Sequence, residues 1–107
     1  MKKSKSYTLK IGYRDYTLRF VKKVDPQDSH GDTDYTKGVI RVSRALKGTE
    51  LANTILHEVN HGVLDDKGLK LEYDLDEQVV HAMTNGQIAF IKDNADFFRM
   101  LLDLLEV

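Results

Sequence analysis

The hydrophobic residues of this chain change period once along its length, and that change limits the folds open to it. Tyr7, Leu9 and Ile11 alternate with polar neighbours. After a break at Gly12 to Asp15 the alternation resumes at Tyr16, Leu18 and Phe20. Strand side chains point to opposite faces in turn, so a period of two predicts a half-buried β-hairpin. A polar loop from Asp25 to Asp32 follows and holds the only proline. Residues 35 to 43, centred on Val39-Ile40-Arg41-Val42, predict a third strand, with Gly38 suited to a bulge. From Thr49 onward the period is helical. Thr49 suits an N-cap and Glu50 a first turn. Apolar residues recur at helical spacing from Leu51 to Leu64, and Asp65 to Gly68 stops the run. A short loop, Leu69 to Tyr73, leads to a second helix capped by Asp74 or Asp76 and running to about Asn94. A third helix, Asp96 to Leu105, is rich in Phe and Leu. Strands first and helices after predict an α+β fold. The expected architecture is a small three-stranded, largely antiparallel sheet, a hairpin plus an edge strand, packed on three helices.

The bulk numbers set limits on what such a domain can do. At 107 residues and 41% hydrophobic content, residues 1 to 107 make a single domain with a modest core. The net charge is -1 with 31% charged residues, and nucleic-acid binders usually carry a basic excess, so no nucleic-acid partner is expected. The first 23 residues do hold eight Lys or Arg against Asp15 alone, which reads as a solvated strand surface. There are no cysteines, which excludes disulfides, thiolate metal sites and a thiol nucleophile together. The basic N-terminus is followed by no apolar signal region, and no apolar run reaches the length of a membrane span. A cytoplasmic protein with no membrane partner is expected. The apolar tail from Phe97 to Leu105 is read first as docking onto the domain's own core. A second copy or a partner protein is the alternative occupant.

The chemistry lies in His57-Glu58-Val59-Asn60-His61. Two histidines at i and i+4 on a helix project from nearly one face, so their imidazoles can converge on one metal ion. The glutamate between them points about a quarter turn away and can reach a water on that metal instead. On a helical projection Ala52, Ile55, Leu56, Val59 and Val63 cluster on one side. The histidines lie roughly opposite, with Glu58 on the flank. A catalytic zinc needs three protein ligands and an open position, so a third ligand must come from elsewhere. Glu77 shares a helical face with Val80, Thr84, Ile88 and Ile91, and a carboxylate heading an apolar stripe is costly unless paired or metal-bound. Asp76 reads as a capping residue and Glu72 as a loop residue. His81 follows Glu77 by four residues on nearly the same face. It could support a ligand, stabilise an oxyanion, replace Glu77, or simply be a half-buried helix histidine.

His57-Glu58-x-x-His61 followed by a helical Glu77 resembles the gluzincin pattern of zinc metallopeptidases. The strand Gly38-Val39-Ile40-Arg41-Val42 and the segment Asp76 to Gly86 resemble the small ImmA/IrrE-type and phage-encoded metallopeptidases. The similarity covers roughly residues 35 to 90. It implies a minimal zincin-like domain with Zn2+ held by His57, His61 and Glu77. Glu58 would be the catalytic base, and a peptide or protein the substrate. Tyr73, Tyr35 and His81 would be the candidates for stabilising the oxyanion. Residues 36 to 42, as the sheet edge, would pair with an extended peptide. One departure is plain: thermolysin-like gluzincins place an aspartate four residues after the glutamate ligand, where this chain has His81. Two other readings accompany the peptidase: a zincin fold retained as a non-catalytic binding or regulatory module, and a SprT-like protease acting near DNA.

Overall fold

The computed structural model describes residues 1–22, Val24 and 30–106. Its elements run β1 (Tyr7–Ile11), β2 (Arg14–Val21), β3 (Gly31–Asp34), β4 (Val39–Ser43), α1 (Gly48–Asp66), α2 (Tyr73–Asp93) and α3 (Ala95–Leu105). The α+β order holds, with a sheet of four strands instead of three, in the order β1-β2-β4-β3. The hairpin forms as expected, with Leu9 opposite Tyr16, and Gly12 turns it with φ 65°. The positive φ is what calls for glycine here; the Asp66 carboxylate beside it could swing away from a Cβ.

The expected place of the third strand is overturned. The expected edge strand, β4, is interior: it pairs in parallel with β2 on one side and antiparallel with β3 on the other. Its backbone groups are therefore committed, and residues 36 to 42 cannot offer a free edge. The sheet is also mixed, because the connection from β2 to β4 passes through β3 and returns in the same direction. The added strand lies at the end of the supposed polar loop. Residues 25 to 29 of that loop lie outside the described residues. Gly38 makes no bulge. It closes the turn between β3 and β4, with φ 67° and its N–H donating to the Asp34 carbonyl at 2.9 Å.

The core sits between the sheet and α1. Ile11, Tyr16, Leu18, Phe20, Ile40 and Val42 are buried, with Leu51, Ile55, Val59 and Val63 of α1 packed against them. Removing each such side chain from water contributes about 1.5–3 kcal/mol. Gly62 lets α1 approach closely, since a Cβ there would come within 3.1 Å of Ile11. The helix starts earlier than expected, after Lys47, which places Thr49 inside its first turn. Gly68 ends the segment with φ 73°. Likewise α2 begins at Tyr73, so Asp74 and Asp76 lie in its first turn and cap nothing.

Against the other side of α1 lies α2, and α3 packs on α2 alone. So α1 is covered on two sides, which the helical projection did not anticipate. Ala52 is exposed, whereas Glu58, Asn60 and His61 are buried. Asn60 fastens the two helices, donating to Thr84 Oγ1 at 2.9 Å and Gln87 Oε1 at 2.8 Å. No helix among the described residues is long and apolar enough to cross a membrane. The expectation that α3 docks on the core fails, for none of its residues is buried.

Candidate metal centre

A cleft of about 750 Å³ opens where the middle of α1, the start of α2 and β3 meet. On its floor, one turn apart on α1, His57 and His61 bring their Nε2 atoms to 3.2 Å. Glu77 comes over from α2. Its Oε1 lies 2.7 Å from His61 Nε2 and its Oε2 3.5 Å from His57 Nε2. One ligand atom from each of the three falls within 4.8 Å of the others. Two donors each 2.0–2.1 Å from a tetrahedral zinc stand roughly 3.3 Å apart, so the spacing suits a single small ion. Three acceptor atoms turned toward one point have nothing to gain from each other without a cation or protons between them. The donor set of two imidazoles and a carboxylate is also one that divalent transition ions favour.

Electrostatics favours the same use. Burial, and then the neighbouring His61, push the His57 pKa below the ordinary histidine value, which favours the neutral imidazole that metals bind. Glu58 is 6% exposed, and burial raises its pKa above the usual carboxylate range. It stays off the ligand set: its Oε2 is 4.0 Å from His57 Nε2, while its Oε1 accepts a 2.8 Å hydrogen bond from Thr33 Oγ1. The Glu58 backbone carbonyl, 3.1 Å from the same oxygen, shares that single hydroxyl proton. A raised pKa, a fixed orientation and a place beside the ligands suit a group that takes and returns protons.

The remaining expected residues all line the cleft. His81 is exposed and sets its ring edge to face with His57, at 5.2 Å between centroids. It makes no ligand set with His57 and His61; Glu77 does. Tyr73 is 73% exposed at the first position of α2. Tyr35 is less exposed, at 37%. Burial, then the nearby Asp76, push its phenol pKa to about 12, so it remains a hydrogen-bond donor at any ordinary pH.

Two residues of the centre escaped the sequence reading. Asp76, taken for a cap, places Oδ2 3.0 Å from His61 Nδ1. The approach is close but imperfectly aligned, since that buried nitrogen makes no full hydrogen bond. A carboxylate behind a ligating imidazole fixes its tautomer and raises its basicity. The adjacency of two acids was the only signal for Asp76. Asp76→Asn is expected to weaken zinc binding about 10–100-fold, measured by competition with a chromophoric chelator. The other residue, Thr33, had no signal, because its strand carries no apolar residue.

Comparison with protein-family models, curated proteins and solved structures finds no match to this chain.

Proposed function

We propose that this chain is a zinc-dependent metallopeptidase of the gluzincin type. The observation that carries the reading is the pairing of a three-donor cluster, His57, His61 and Glu77, with a buried Glu58 that stands beside it without joining it. A structural metal site would need no such neighbour. A catalytic one needs both an open position and a base. Zinc bound there supplies Lewis acidity, which makes water a nucleophile near neutral pH and polarises the scissile carbonyl.

The chain's own groups do the rest. Glu58 takes the proton of the attacking water and later delivers it to the leaving nitrogen. Thr33 holds the carboxylate on one oxygen and leaves the other for that proton. The Tyr35 phenol, kept protonated, is the donor to the oxyanion in this reading, and His81 and Tyr73 line the same cleft as further donors. Asp76 steadies His61. The substrate peptide lies along β3, which among the described residues pairs only with β4, and whose Gly31, Asp32 and Thr33 line the cleft.

Thr33→Val tests the placement of the base. Its hydrogen bond favours the charged carboxylate, so its loss moves the acid limb of kcat/KM to higher pH. A bond to a charged group is worth about 1.5–3 kcal/mol, so kcat/KM near pH 6 falls roughly tenfold or more. An unchanged pH profile on a peptide substrate would separate Thr33 from the base.

A further inference from the structure

The metal centre uses the start of α2 and leaves its outer face unexplained. From Gln78 to Phe90 the helix holds no Asp, Glu, Lys or Arg, in a chain that is 31% charged. The side chains it shows to solvent there include Ala82, Gly86 and Ala89, all small. A Cβ at Gly86 would meet nothing within 4 Å. Ala82 and Gly86 border a groove of about 400 Å³ that Phe90 of α2 and Phe98 of α3 also line. A helix face meant for water normally carries charge.

The neighbouring helix is the converse. The polar residues Asp96, Arg99 and Asp103 of α3, with Glu106 directly after it, share one side. The apolar arc spans more than half the turn, and α2 alone packs against it. Phe97, Met100 and Leu104, spaced i, i+3 and i+7, stand 52%, 58% and 70% exposed. With Leu105 and Phe90 they leave roughly 600 Å² of apolar surface, taking about 200 Å² for each full side chain. Solitary exposed leucines are ordinary, but a contiguous patch of this size marks a contact.

We propose that the chain forms a two-fold dimer in which the Phe97, Met100 and Leu104 ridge of each copy seats in the α2 groove of the other. A two-fold interface must be self-complementary, and this surface offers ridge and groove side by side on one chain. Ridge and groove together approach the roughly 800 Å² per partner that a stable interface buries. The rim argues against a lipid surface: three acids and one arginine flank the ridge, whereas helices lying on membranes are rich in Lys and Arg. The contact uses the distal half of α2 and leaves the metal cleft open.

Sedimentation equilibrium on the full chain, from low to high micromolar, tests this. The expected mass is twice 12.3 kDa. Met100→Glu on the ridge and Ala82→Arg in the groove should each give the single-chain mass, with wild-type circular dichroism and unchanged zinc content. Wild-type protein that stays at the single-chain mass throughout would overturn the proposal. Binding of that monomer to anionic lipid vesicles would overturn it too, as would a dimer that survives both substitutions.

Discussion

Glu58→Gln is expected to retain zinc and lose peptide hydrolysis by about 10³-fold or more, the upper range for removal of a general base. The substitution keeps shape and volume, so the buried position accommodates it. The amide oxygen can still accept from Thr33 Oγ1, which holds Glu58 at 2.8 Å. What disappears is the capacity to take a proton. Zinc stays because Glu58 is outside the cluster of His57, His61 and Glu77. Stability should not fall, since a buried carboxylate with a raised pKa already costs free energy that a neutral amide avoids. The measurement is zinc content and initial rate on one preparation. Turnover like the wild type would remove Glu58 as the base.

Glu77→Ala is expected to lose the metal, while His81→Ala keeps it. Glu77 is the only residue of α2 in the donor cluster, so its carboxylate joins α2 to the α1 pair. Truncating it leaves two neutral imidazoles, which lose the anionic donor that balances a divalent charge. The loss should exceed the 10–100-fold assigned to a supporting residue such as Asp76. His81 touches the centre through ring contact with His57 alone. Its removal should lower kcat more than zinc affinity. Metal analysis of the two variants after gel filtration separates the cases, and the opposite pattern would make His81 the third ligand.

The parts of this fold that were legible in the sequence are those whose residues speak through hydrophobic period. Leu51 to Leu64 announced α1, and the alternation at Tyr7 to Phe20 announced the hairpin. The three-residue donor cluster followed because helical spacing is rigid: i and i+4 must share a face, and a carboxylate heading an apolar stripe needs a partner. Strand β3 was silent. Gly31-Asp32-Thr33-Asp34 has no apolar residue, and its place is set by pairing with β4 and by Gly31, which sits close under Thr54 and Glu58 of α1. Missing it misplaced the sheet edge and hid Thr33. Asp76 was hidden differently. Its role depends on where α2 begins and how that helix lies across α1, and both are matters of tertiary packing. The phase of α1 was half legible for the same reason. Ile55, Val59 and Val63 face the sheet, but α2 also covers Asn60 and β3 covers Glu58, and neither cover is visible in one helix's pattern.

The most direct test of the account is zinc-dependent cleavage of an unfolded casein by the purified chain. Protein stripped of metal should be inert. Activity should return in proportion to added zinc and saturate at one ion per chain, then vanish again with a chelator. A chain that binds one zinc and cleaves nothing, at any zinc ratio, would contradict the peptidase reading and leave a metal-holding binding module in its place.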